Sequence, residues 1–108
     1  MMDVISERDF EHAADEALHA LERALSELYE VEADLESGIL TIEFPDGDKF
    51  VINSHRAARQ IWMAAERSAW HFDYDRATSR WIAQKTSDEL RSTLETALRR
   101  KLKKAVTL

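Results

Sequence analysis

VEADLESGILTIEFPDGDKFVIN, residues 31–53, carries three stretches of strand character divided by two turn signals. Val31, Ala33 and Leu35 alternate with Glu32, Asp34 and Glu36, the period of a strand with one buried face. Ser37-Gly38 turns the chain into Ile39–Phe44, and Pro45-Asp46-Gly47-Asp48 turns it again into Lys49–Asn53. The expectation is a three-stranded meander. Downstream, Gln60–Ala64, Trp70–Tyr74 and Arg80–Ala83 have strand composition, the last pair joined by the polar stretch 75–79. Between Phe50-Val51-Ile52 and Ile61-Trp62-Met63 lies a polar connection with neither glycine nor proline.

Helical periods flank this block. Phe10, Ala14, Ala17, Leu18, Leu21, Leu25 and Leu28 recur at steps of three and four, which predicts an amphipathic helix over 6–28. Ser6 with Asp9 forms the sequence of a capping box. At the other end, Thr86 with Glu89 offers a second box ahead of the stripe Leu90, Leu94, Ala97, Leu98 and Leu102. Helix, about six strands, helix is the α+β pattern: a two-layer sandwich in which one face of a mostly antiparallel sheet packs on the helices. A chain of 108 residues suits one domain, expected over 1–108.

Composition narrows the chemistry. With no cysteine, disulfides, thiolate metal sites and cysteine nucleophiles are excluded. The first ten residues have neither the basic start nor the apolar run of a leader, and no segment approaches a membrane span, so the expected setting is the cytoplasm, away from any membrane. With only two glycines there is no phosphate-cradling loop, and no nucleophile or paired-carboxylate arrangement points to catalysis.

Charge is divided unevenly. Residues 1–48 hold fifteen acidic and two basic side chains, a balance of −13, whereas residues 49–108 hold six and thirteen, a balance of +7. Acids at this density repel one another, which implies a cationic partner or bound cations. Helical steps bring Glu11, Asp15 and Glu22 to one side of the first helix and Glu16 and Glu27 to a neighbouring strip; Glu30, Glu32, Asp34 and Glu36 extend the charge into the first strand. Singly spaced carboxylates suit weak, exchangeable binding of hard or borderline divalent ions such as Fe(II). A solvated face that steers a partner and holds no metal is the alternative.

His12, Asp15, Glu16 and His19 share one helical side, and Glu16-x-x-His19 has the form of a diiron half-motif. The second helix lacks histidine, so the other half is missing, and His12 and His19 are read as plain surface residues. A weak ferroxidase built on His12, Glu16 and His19 is the enzymatic alternative. Alternation puts His71 and Asp73 on the face opposite Phe72. Arg91, Arg99, Arg100, Lys101, Lys103 and Lys104 on the second helix are expected to complement its dipole and neutralise the acidic helix. Nucleic acid is not expected, since so acidic a surface repels phosphate.

The order and spacing of several short pieces resemble the frataxin family in its bacterial, CyaY-type branch. These are the acidic first helix, Gly38-Ile39-Leu40-Thr41-Ile42 with Phe44, Val51-Ile52-Asn53, Gln60-Ile61-Trp62, Trp70-His71-Phe72-Asp73 and Trp81. Residue type alone puts Trp62 in the core; the resemblance puts Asn53 and Trp62 on or beside the exposed sheet face, with His71 also at the partner surface. His55 stands where family members often carry glutamine. The resemblance implies a non-enzymatic iron-binding accessory protein and regulator of iron–sulfur cluster assembly. Its iron would be Fe(II), or Fe(III) after oxidation, held weakly by Glu11, Asp15, Glu16, His19, Glu22, Glu27, Glu30, Glu32 and Asp34. Its partners would be a cysteine desulfurase, reached through Glu22 and Glu27, and a scaffold protein. It would be mainly monomeric, with iron-dependent self-association as the alternative.

Overall fold

A computed structural model describes residues 5–108; the first four residues of the expected domain lie outside the described residues. Helix α1 (Glu7–Leu25) leads into strands β1 (Glu32–Glu36), β2 (Ile39–Glu43), β3 (Lys49–His55), β4 (Gln60–Ala65), β5 (Ser68–Asp75) and β6 (Arg80–Ile82), and helix α2 (Leu90–Leu102) closes the chain. The six strands pair in sequence order, every neighbour antiparallel, so the meander runs through the whole sheet.

Turn chemistry sets the registers. Ser37 and Gly38 both have positive φ, 51° and 76°, the primed two-residue turn that suits the twist of a hairpin. Glycine at 38 suits both this φ and the close approach of β3: a Cβ there would meet Ser54 Oγ at 2.6 Å and force that hydroxyl to turn away. Glu66 and Arg67 repeat this turn between β4 and β5 with φ of 52° and 65°, although neither is glycine. The two four-residue turns are built alike. Asp75 Oδ1 accepts the Ala77 N–H at 3.1 Å, and His55 Nδ1 accepts the Ala58 N–H at 3.2 Å. A histidine thus closes the polar connection that holds neither glycine nor proline.

Both helices cover one face of the sheet. Phe50, Ile52, Ile61, Met63 and Phe72 point into the core with Phe10, Leu18, Leu21, Leu94 and Leu98, all nearly free of solvent. Phe10 of α1 meets Trp81 of β6 edge to face at 5.9 Å, tying the first helix to the far side of the sheet. The tail returns as well: Arg99 Nε donates to the Val106 carbonyl at 3.0 Å, and Leu108 N–H donates to Glu95 at 2.8 Å.

Three expectations are corrected. Helix α1 begins as read, with Ser6 Oγ accepting the Asp9 N–H at 3.1 Å, but it stops at Leu25, so Glu27 belongs to the following turn and not to a helical strip. The Thr86–Glu89 box does not form. Thr86 Oγ1 donates to Asp88, and the Glu89 carboxylate itself caps α2 by accepting the Arg91 and Ser92 N–H groups at 2.8 and 3.0 Å. The cations in and just after α2 neutralise acids, but not those of α1: Arg99 lies 3.8 Å from Glu95 on α2 itself, Arg100 meets Glu66, Lys101 meets Asp46 and Asp48, and Lys104, beyond the helix end, meets Glu30.

Candidate functional site

The acidic rim wraps one edge of the sheet. Strand β1 is the edge strand and α1 packs against it. Ala33 and Leu35 pack on the core, which turns Glu32, Asp34 and Glu36 to the opposite, helix-free face. Glu22 lies in the last turn of α1, which packs against β1, and Glu27 in the exposed turn that leads on to that strand. Among the described residues, Glu22, Glu27, Glu32, Asp34 and Glu36 make no ion pair.

Other sequence candidates are engaged. Glu11 receives Arg56 Nε at 2.8 Å, from the β3–β4 turn. Glu30 is held by Lys104, whose hydrogen bond lowers the Glu30 pKa below the usual carboxylate value. Asp15 pairs with His19 at 3.3 Å, and the His19 Nδ1 also lies 2.9 Å from the Asp15 carbonyl. Glu16 is 3.7 Å from His12. Among the described residues, no three His, Asp or Glu side chains gather closely enough to enclose a metal ion. Any cation on this rim therefore keeps most of its water, as hard ions on separated carboxylates do.

His12 and Glu16 also border an open cleft of about 800 Å³ between α1 and the β5–β6 hairpin. The same cleft is lined by Arg76, Arg80 and Arg91 as well as by the acids Asp9 and Glu89, the last of which pairs with Arg80 at 3.9 Å.

The helix-free face holds the second constellation. One cross-strand row runs Glu36, Ile39, Asn53, Trp62, His71 through five strands. It joins the acidic edge directly to Trp62. The indole is part-buried but outside the core, which lies on the other side through Ile61 and Met63. His55 stacks on one indole face with centroids 3.9 Å apart and His71 on the other at 4.2 Å. Trp62 Nε1 donates to Gln60 Oε1 at 2.9 Å, and Gln60 Nε2 donates to Asp73 Oδ1 at 3.1 Å. Residue type had favoured a buried Trp62; the strand register decides for the open face. The sequence reading left His55 out of the surface, and its one signal was a second histidine on the same strand face as Asn53.

A six-stranded antiparallel sheet backed by two helices, with an acidic edge leading onto a tryptophan-bearing open face, defines a frataxin-like protein. The profile of the Frataxin-like domain matches residues 3–104, and the chain belongs to that family. It is similar to the iron-sulfur cluster assembly protein CyaY of Thioalkalivibrio sulfidiphilus, 36% identical over 88 residues that cover 79% of this chain and 82% of the relative. The CyaY protein of Ralstonia nicotianae is also 36% identical, over 94 residues covering 82% and 81%. Among solved structures, the frataxin of Psychromonas ingrahamii superposes with a TM-score of 0.85 at 27% identity, covering 94% of this chain and 96% of that one. A trimeric frataxin of Saccharomyces cerevisiae, complexed with ferrous iron, shares the fold with a TM-score of 0.66 at 21% identity, covering 96% and 92%.

Proposed function

We propose that this protein is a cytoplasmic accessory factor of iron–sulfur cluster assembly that binds Fe(II) weakly through rim carboxylates and docks on the assembly machinery without catalysing a reaction itself. The observation that carries this reading is the run of carboxylates at Glu22, Glu27, Glu32, Asp34 and Glu36, which make no ion pair among the described residues although the second half of the chain is rich in cations. Repulsion along such a rim is offset only when positive charge arrives from outside. A cysteine desulfurase with a basic patch is the partner for the rim, and a scaffold protein is the partner for Asn53, Trp62 and His71. The CyaY names of the relatives, as iron-sulfur cluster assembly proteins, support the setting.

The cation set is narrower than nine residues. Glu11 and Glu30 already hold Arg56 and Lys104, so iron falls chiefly to Glu22, Glu27, Glu32 and Asp34, with Asp15, Glu16 and His19 as weaker positions. The absence, among the described residues, of any group of three close His, Asp or Glu side chains argues against a ferroxidase at His12 and Glu16.

Reversal of charge at Glu22 and Glu27 together is expected to weaken desulfurase binding at least tenfold at low salt and little at high salt, because screening removes the steering field. Unchanged affinity at low salt would reject the rim as a docking surface. Anaerobic Fe(II) titration followed residue by residue, alone and with the desulfurase present, separates the metal role from the docking role: broadening by iron confined to the rim supports the metal role, whereas docking without any response to iron leaves an interaction module.

A further inference from the structure

We infer that His55 and His71 are positioning residues that hold the Trp62 indole as a pre-set contact on the open sheet face; the inference rests on the proposed docking of that face to a scaffold protein. The three rings come from three adjacent strands, β3, β4 and β5, and lie nearly parallel, with interplanar angles of 18° and 12°. Neither imidazole belongs to the core. Each covers one π face of an indole that would otherwise stand on an open surface and change rotamer freely.

The restraint extends beyond stacking. Trp62 Nε1 is bonded to Gln60, which Asp73 holds in turn, so indole rotation would break a hydrogen-bonded chain. His55 is fixed by the Ala58 N–H donated to its Nδ1 within the β3–β4 turn, so the turn sets the ring that sets the indole. Docking then need not immobilise Trp62, a saving worth about two- to tenfold in affinity for one such side chain.

The clamp also limits what Trp62 can recognise. With both faces covered and its N–H engaged, the indole offers a partner only the carbon rim. Such a rim takes an apolar side chain, and the same row presents Ile39, 47% exposed, on the other side of Asn53. A partner guanidinium or ammonium finds no free face on which to stack.

The test uses the 108-residue chain, isotopically labelled, titrated with the scaffold protein in the native form and as His55→Ala, His71→Ala, His55→Phe and Trp62→Ala. In both alanine variants the Trp62 Nε1–H resonance is expected to shift and broaden, and scaffold affinity to fall about two- to tenfold while desulfurase affinity holds. His55→Phe cannot accept the Ala58 N–H but restores a stacking ring, and is expected to recover most of the lost affinity. Thermal unfolding of the same samples confirms that each is folded. Alanine variants that bind the scaffold as the native protein does, while Trp62→Ala weakens it, would overturn the positioning role alone; so would an unmoved Trp62 resonance. Binding indifferent to Trp62→Ala would overturn the docking reading and the inference together.

Discussion

The carboxylates of this protein fall into two regions with opposite fates. Around α2, Asp46, Asp48 and Glu66 each receive a lysine or arginine from the closing helix, and Glu30 receives Lys104 just beyond its end. Around the α1–β1 edge, Glu22, Glu27, Glu32, Asp34 and Glu36 pair with nothing among the described residues. The difference comes from reach. The end of α2 and Lys104 just beyond it meet the turns at Asp46, Asp48 and Glu66 and the loop at Glu30, just ahead of β1, whereas Glu32, Asp34 and Glu36 stand on the sheet face away from the helices. One region spends its charge on the fold, and the other leaves it unpaired among the described residues, free for the partner proposed above.

That contrast can be broken or sharpened by four experiments, beginning with the largest effect. Leu18→Ala removes a side chain 1% exposed beneath the helix that carries part of the rim. It should cost about 2–5 kcal/mol in chemical denaturation, and a loss far below this would mean the rim is not fixed by core packing. Arg67→Gly acts beside the α2-bound acids. Its left-handed φ of 65° is unfavourable for arginine, so glycine should raise stability by about 1 kcal/mol; a loss would mean that the Arg67 side chain makes a contact outweighing its backbone strain.

Lys101→Ala removes the cation shared by Asp46 and Asp48, each 2.5 Å from Nζ, and should lower the melting temperature by less than Arg67→Gly raises it. The same pairs give a pH signature. Lys104, Lys101 and Arg100 depress the pKa values of Glu30, Asp46 and Glu66, so their contribution is present above the ordinary carboxylate range and is lost as pH falls below it, through the lowered values. Lys101→Ala should flatten the part of this acid loss that belongs to Asp46. The smallest effect is expected at the rim: Glu22→Gln with Glu27→Gln should leave stability within about 0.5 kcal/mol of native while weakening the partner. A marked destabilisation would show that these acids serve the fold after all.

The strands were legible because alternation and turn residues agree: Ser37-Gly38 and Pro45–Asp48 each stand where a hairpin reverses. Boundaries moved where tertiary partners intervened. Ser26 N–H closes the end of α1 on Glu22 and Ala24 carbonyls less than one turn before the apolar period ends at Leu28, which packs on the core from a turn. At α2 the capping role passed from Thr86 to Glu89, whose backbone also bridges to Ile82. The Glu66–Arg67 turn was hidden, since nothing in either residue announces positive φ.

The sequence by itself determined the element order, the buried stripes, the asymmetry of charge and the acidic character of the first helix and strand. These are local properties, written in periodicity and side-chain type. Only the tertiary structure decided which acids meet a cation, on which side of the sheet Trp62 stands, and that two histidines sixteen positions apart close on it. Those outcomes depend on strand register and on how far α2 reaches, and both arise from contacts between residues distant along the chain.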